Sequence, residues 1–412
     1  MGDSGIGRPR LSLGGLSLPM PRMPVNLLSR DPAKDNGHHL RVSAQITGWG
    51  KYLPAKVLTN ADLERMVDTS DEWIRTRSGI VERHIVGPKE HTSVMAVRAA
   101  QNALAVADLS PNKLDAVIVT TATPDQPVPS TASIVQDAIG ASKAAAFDVN
   151  AGCTGFIYGL VIANGLIAAG THRNVLVIGA DTLSRFTDWS DRSTCVLFGD
   201  GAGAVLLQPG DAGTGVLSVT LGSDGFGRDL LTVPAGGSRL PASRETVEKH
   251  QHYIQMNGRE IFKFAVNKVV KATSQVVAEA GLRLEDVALV IPHQANLRII
   301  QAAARGLKMP EDKFFVNIDH CGNTSSASIP MALTDAVEGG RLKQGDYLVL
   351  VGFGAGLTWG AAVVLWGAAP VVAEHPAWKS LLLHAGTPRR RIRALLRLTR
   401  RKIDVTRWWH QV

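Results

Sequence analysis

Four segments of this chain recur in the same order. Asp-Ala-Val-Ile-Val-Thr at 115–120 is answered by Asp-Val-Ala-Leu-Val-Ile-Pro at 286–292, and Asn-Val-Leu-Val-Ile-Gly-Ala at 174–180 by Asp-Tyr-Leu-Val-Leu-Val-Gly-Phe-Gly at 346–354. Phe-Asp-Val-Asn-Ala-Gly-Cys-Thr-Gly at 147–155 is answered by Phe-Val-Asn-Ile-Asp-His-Cys-Gly-Asn-Thr at 315–324, and Ser-Ala-Gln-Ile-Thr-Gly-Trp-Gly at 43–50 by Leu-Ser-Val-Thr-Leu-Gly-Ser at 217–223. Ordered recurrence at similar spacing means a duplicated architecture. The recurring runs are short and apolar, as buried strands are, and helical stretches separate them: an Ala-rich one over 92–107, one ending at Ile139, one from Phe156 onward. Such alternation predicts an α/β protein with mainly parallel sheets covered on both faces. Two similar halves follow, residues 41–214 and 215–370, forming a five-layered αβαβα body with two sheets around shared central helices. Within the first half, Leu63 to Ile74 reads as a helix with Ser70 or Asp71 as a cap.

The flanks have a different texture. Residues 1–40 are rich in Gly, Pro, Leu and Arg and lack the uninterrupted apolar core of a secretory signal, so they read as a disordered leader. Residues 371–412 hold ten Lys and Arg against two acids, with arginines around an apolar face at Ile392, Leu395 and Leu396. That tail is either a solvated segment or one that contacts an anionic membrane surface or an acidic partner. The net charge of +8 sits in these flanks, and the body between them is slightly acidic, which gives no basis for nucleic-acid binding. Three cysteines in 412 residues provide no disulfide framework and point to a reducing, cytoplasmic setting. No apolar run is long enough to span a bilayer.

Cys153 stands between a strand end and a helix start. First-turn N–H groups and the helix dipole favour thiolate there, and Gly152 and Gly155 leave room for a substrate to approach the sulfur. Read from that stretch alone, Cys153 is either an activated nucleophile or a buried structural thiol. The duplication adds a prediction. Equivalent loops of the two halves converge on a pseudo-twofold axis, and those loops carry Cys153, His293, Asn323 and the Gly-Phe-Gly-Ala-Gly run at 352–356. A thiolate, an imidazole, an amide and a glycine-rich backbone can attack a thioester, stabilise an oxyanion and hold an enolate. The set requires no metal, no metal-ligand spacing is present, and neither glycine run has the Rossmann spacing. Cys195, inside the strand-like Thr-Cys-Val-Leu-Phe, reads as core; Cys321 lies two residues before Asn323 without an evident role.

The motifs at 59–74, 77–85, 198–205, 292–300, 322–330 and 352–360 together resemble the β-ketoacyl-[acyl carrier protein] synthase III family, the initiating condensing enzymes of the thiolase superfamily, over roughly residues 43–367. The resemblance implies a thiolase-like fold and a homodimer. It also implies a two-stage reaction without a cofactor: Cys153 takes an acyl group from acyl-CoA, then condenses it with malonyl-acyl carrier protein while His293 and Asn323 bind the malonyl thioester carbonyl. The amides of Cys153 and Ala355 would form the oxyanion hole, with Ala355 where the family usually has glycine. Trp73 and Arg192 would sandwich the CoA adenine, Arg77 would meet its phosphates, and Gly258 and Asn296 would line the pantetheine channel. Arg298 and Arg305 would meet the acidic carrier protein; Val128 and Phe198 would border the acyl pocket, Val128 that of the partner subunit. The small Val128 and the unusual flanks leave a starter-unit synthase or acyltransferase of a polyketide or secondary pathway as the alternative. The segment 240–255, with His250 and His252, is longer than the family pattern leads one to expect.

Overall fold

The computed structural model describes residues 43–211 and 213–367. The readings of the leader (1–40) and the basic tail (371–412) lie outside the described residues. The first half runs β1 (Ala44–Tyr52), α1 (Asp71–Ser78), α2 (Thr92–Val106), β2 (Ala116–Thr120), α3 (Thr131–Ile139), β3 (Ala145–Val149), α4 (Gly155–Ala168), β4 (Val175–Thr182) and β5 (Asp200–Pro209). The second runs β6 (Gly215–Ser223), α5 (Gly258–Glu279), β7 (Val287–Pro292), α6 (Leu297–Leu307), α7 (Ser328–Glu338), β8 (Tyr347–Gly354) and β9 (Thr358–Leu365).

The duplication is visible in the sheets. The first has the order β1-β5-β4-β2-β3 and the second β6-β9-β8-β7. Matching strands occupy matching places, and a lone parallel bridge between Val290 and Phe314 stands where a fifth strand would extend the second sheet. The sheets are mixed rather than mainly parallel: β2 pairs in parallel with β3 and β4, and β7 with β8, but the other pairings are antiparallel. For β8 and β9 the reason is connection length. Only three residues join β8 to β9, and a parallel return needs a crossover of a dozen or more.

Between the sheets lie α4 and α7. Phe156, Ile157, Leu160 and Ala163 of α4 and Ile329, Ala332, Leu333 and Ala336 of α7 are fully buried in one core with residues of both sheets. At about 1.5–3 kcal/mol for each large side chain withdrawn from water, this layer is the main bond between the halves. α2 and α3 cover the outer face of the first sheet, and α5 and α6 that of the second. The five layers match the thiolase-like expectation.

Two local expectations are corrected. Leu63–Ile74 is not one helix: Asn60–Glu64 forms a short one, and α1 starts only at Asp71. Ser70 is extended and accepts the Trp73 N–H on its side chain, so it starts a new helix after the short one has ended at Glu64. Cys195 is core but not in a strand; Asp191 accepts the Ser193 N–H and starts a helical turn over Arg192–Cys195.

Candidate active site

Cys153, His293 and Asn323 line one cavity of about 200 Å³, walled by apolar side chains including Phe198, Met256, Ile299 and Phe353. Each arrives from a strand end or helix start near the middle layer. Cys153 precedes α4, His293 follows β7, and Asn323 lies in the loop before α7. Gly354 ends β8 so close beneath Cys153 that a Cβ there would stand 2.6 Å from the Cys153 nitrogen. Gly152 has φ +55°, and a Cβ on it would meet the Ala355 nitrogen at 2.9 Å. Gly152 and Gly155 therefore do not clear a path to the sulfur. Gly152 permits the turn against the 352–356 loop, and a Cβ on Gly155 would meet the Thr120 Cβ at 3.2 Å.

The backbone N–H groups of Cys153 and Ala355 both favour the thiolate, and the Ser325 hydroxyl donates to the sulfur at 3.5 Å. Burial outweighs them and, with the Asp181 carboxylate, pushes the thiol up to about 11. The expected thiolate is thus corrected: enclosure of the charge prevails over the donors of the loop and first turn. The same two amides lie where the oxyanion hole was expected, and Ala355 in place of glycine keeps its N–H available.

The His293 ring is buried, edge-on to Phe353 at 5.2 Å, and burial pushes its pKa down to about 3. Its Nδ1 lies 2.6 Å from the Ser328 hydroxyl, while Nε2 is buried without a hydrogen-bond partner among the described residues. Asn323 accepts the Ser325 N–H on Oδ1 at 2.9 Å, and among the described residues its Nδ2 has no acceptor; the side chain lines the cavity. Its backbone is held on both sides: Asn323 N–H donates to the Leu197 carbonyl, and Gly199 N–H to the Asn323 carbonyl. Buried Arg83 braces the same segment through the Val196 carbonyl at 2.8 Å.

The mouth of the cavity includes Gly258 and Asn296. Asn296 caps α6 through Oδ1 and donates Nδ2 to the Arg77 carbonyl at 2.9 Å, tying the α1 end to the channel. The Arg192 guanidinium lies over the Trp73 ring at 5.2 Å and donates to the Asp68 carbonyl at 2.7 Å. Arg77 is exposed. Arg298 is exposed near the Phe262 ring, and Arg305 pairs with Glu311 at 3.6 Å. Val128 is 82% exposed and does not line this cavity, whereas Phe198 does.

Sequence reasoning missed the hydroxyl groups around these residues. Ser325 on the sulfur and Ser328 on the imidazole both belong to Gly-Asn-Thr-Ser-Ser-Ala-Ser-Ile-Pro at 322–330. Three serines in an otherwise small and apolar run before a helix were the available signal. Cys321, His320 and Asp335 bring three potential ligand atoms within 4.8 Å of one another, but the Lys51 ammonium and the Asn317 amide already engage the Asp335 carboxylate. His250 bonds Asp188 at 2.6 Å and His252 bonds Thr246 at 2.8 Å, so each has its own partner.

Residues 147–225 match the family model of 3-oxoacyl-[acyl-carrier-protein] synthase III, and residues 277–366 match that of its C-terminal part. A β-ketoacyl-[acyl-carrier-protein] synthase III of Roseiflexus castenholzii is 56% identical over 325 residues, 79% of this chain and 98% of the relative. A crystal structure of the Aquifex aeolicus 3-oxoacyl-[acyl-carrier-protein] synthase III superposes with a TM-score of 0.73 at 48% identity, covering 78% of this chain and 99% of that one. The priming β-ketosynthase of the R1128 polyketide pathway superposes with a TM-score of 0.75 at 35% identity, covering 80% and 98%.

Proposed function

The chain belongs to the 3-oxoacyl-[acyl-carrier-protein] synthase III family, and on that premise we propose that Cys153, His293 and Asn323 carry its condensing reaction. The enzyme joins an acyl-CoA primer to malonyl-acyl carrier protein and so initiates fatty acid synthesis. In the first stage the Cys153 sulfur forms a bond to the acyl carbonyl carbon, CoA leaves as thiolate, and the cysteine proton ends on CoA. In the second, malonyl carboxylate leaves as CO2 and the resulting carbanion attacks the acyl-cysteine. Cysteine leaves as thiolate and takes one proton from solvent, and the β-ketoacyl group remains on the carrier protein.

The observation that carries this reading is the pairing of two free donors with the sulfur. His293 and Asn323 line the same cavity as Cys153, and among the described residues His293 Nε2 has no hydrogen-bond partner. Two neutral donors suit a thioester carbonyl that gains enolate charge as CO2 departs. The Cys153 and Ala355 amides serve the other carbonyl, that of the acyl-enzyme. Neither stage requires a resident cofactor.

Trp73, Arg192 and Arg77 receive the adenine and phosphates of CoA, and Gly258 and Asn296 border its pantetheine arm; stacking and guanidinium–phosphate pairing suit those side chains. Arg298 and Arg305 present positive charge to the carrier protein near the cavity mouth. The enzyme acts as a cytoplasmic homodimer joined along β3, the edge strand of the first sheet. Val128 then reaches the partner's acyl pocket, which accounts for an apolar side chain standing exposed on the single chain. Among the described residues no helix is long and apolar enough to cross a membrane. The starter-unit alternative has less support, since the Roseiflexus synthase is far closer in sequence than the R1128 enzyme.

The test is intact-protein mass spectrometry after incubation with a panel of acyl-CoA thioesters and then with malonyl-acyl carrier protein. An acyl mass on Cys153 that disappears as β-ketoacyl-carrier protein forms is the expected result and names the primer. A stable acyl-enzyme that passes its group to a different acceptor would overturn the condensing assignment.

A further inference from the structure

The neutral His293 ring carries one proton on one of two nitrogens, and only one choice makes it a donor at the reacting centre. Its surroundings decide which. Nδ1 lies 2.6 Å from Ser328 Oγ, and the Gln294 N–H also donates to that oxygen, at 3.4 Å. Ser328 is 2% exposed, and His293 Nδ1 and Gln294 N–H are the hydrogen-bond partners recorded for its hydroxyl among the described residues. The oxygen already accepts one hydrogen and has a single hydrogen to give. If Nδ1 held the ring proton, Ser328 would accept twice and its own O–H would be buried without an acceptor. Nε2 would then show a lone pair to the substrate carbonyl. If Ser328 donates to Nδ1, every one of these groups is paired and Nε2–H is left free for the cavity. An unmatched buried hydroxyl is costly enough to bias such a choice roughly tenfold or more.

The helix reinforces this bias. Ser328 is the first residue of α7, which runs for 11 residues, so Nδ1 meets the positive end of the helix. That field favours a lone pair over an N–H at this nitrogen. Ring rotation cannot exchange the two nitrogens easily, because Phe353 packs edge-on against the ring.

We propose that Ser328 is a positioning residue that fixes His293 in its Nε2–H tautomer, so that the imidazole acts at the reacting centre only as a hydrogen-bond donor. The inference rests on the assignment of His293 as a carbonyl-binding group, and it has a further consequence. With its lone pair committed to Ser328, His293 cannot accept the Cys153 proton. The acyl-transfer stage is therefore independent of Ser328, and the proton leaves with CoA.

The test combines spectroscopy with separated half-reactions on the full chain. In 15N-histidine-labelled enzyme, long-range 1H–15N correlation should show His293, identified by its loss in His293→Gln, as a pure Nε2–H tautomer. Ser328→Ala should mix the tautomers and slow single-turnover condensation from preformed acyl-enzyme by roughly tenfold. The rate of acylation by acyl-CoA should not change, and Ser328→Thr, which keeps the hydroxyl, should restore both signals. An Nδ1–H tautomer in the wild type overturns the proposal even if the alanine variant fails to fold. So does a folded Ser328→Ala enzyme that keeps a pure Nε2–H ring and full condensation rate. Normal condensation by His293→Gln would instead overturn the carbonyl-binding role of His293 itself, whatever Ser328 does.

Discussion

The Asp181 carboxylate on β4 receives the Ser326 hydroxyl at 2.6 Å and the Ser326 N–H at 2.9 Å. Its other oxygen accepts from Thr121, Ala122 and Thr123. One fully buried side chain of the first half thus fixes the loop of the second half that carries Asn323, Ser325 and Ser328. In Asp181→Asn an amide NH2 would face donors that need an acceptor. We expect a loss of about 3 kcal/mol in stability. Condensation should fall further than folding alone explains, read as kcat at a temperature well below the melting point. A variant with unchanged melting temperature and activity would remove this role for Asp181.

Arg192 and Trp73 stack on each other at 5.2 Å, a spacing that leaves no layer for an adenine between them. If the pair clamps the adenine as proposed, CoA separates the two side chains, and the Asp68 contacts of Arg192 give way with them. Trp73→Ala should raise the KM for acyl-CoA by roughly tenfold, the equivalent of about 1.4 kcal/mol, through lost stacking. The KM for malonyl-acyl carrier protein should stay within experimental error, since the proposed adenine clamp does not meet that substrate. Steady-state kinetics with each substrate varied in turn separates these outcomes. Equal effects on both would mean that Trp73 supports the fold of α1 and not a ligand.

The two stages should be separable by substitution. Cys153→Ser should eliminate the acyl mass gain. Asn323→Ala should still acylate on incubation with acyl-CoA but lose condensation by roughly a hundredfold, the usual cost of one charge-stabilising donor. The measurement is single-turnover release of β-ketoacyl product from isolated acyl-enzyme. Undiminished product from either variant would exclude the proposed roles.

Much of this was readable in the chain because the relevant signals are local. The strand at 116–120 and its counterpart at 287–292 are continuous apolar runs whose shortness and β-branched residues mark them as buried strands. The convergence of Cys153, His293 and Asn323 on one cavity was readable because each stands at a strand end or helix start whose partner half repeats it. What escaped was set by distant partners. Ser328 meets His293 across 35 residues and Ser325 meets Cys153 across 172, separations at which no periodicity or cap signal operates. The thiol pKa escaped for a related reason: the turn around Cys153 shows the donors, whereas the cavity that encloses it is built by segments distant in the chain, Phe198, His293 and Phe353 among them. Leu63–Ile74 failed differently, since Ser70 is a legible N-cap that marks the start of a new helix and not a position within one.

Acidity separates the stages again. The Cys153 thiol, held up to about 11 chiefly by burial, is almost wholly protonated at neutral pH. Because the thiolate is the attacking form, the acylation rate should climb about tenfold per pH unit from pH 6 to 9. Condensation from preformed acyl-enzyme should be flat over that range, because burial holds His293 down to about 3 and the ring stays neutral throughout. Stability should respond on the acid side. A histidine whose folded pKa lies below its unfolded value of about 6.5 binds fewer protons when folded. Its contribution is level above that value. It is lost as pH falls toward 3, with a limiting slope of about 1.4 kcal/mol per pH unit. His293→Gln should reduce that acid slope in denaturant titrations between pH 6.5 and 4. A condensation limb near pH 6.5 that vanishes in the same variant would show instead that the imidazolium forms in the site.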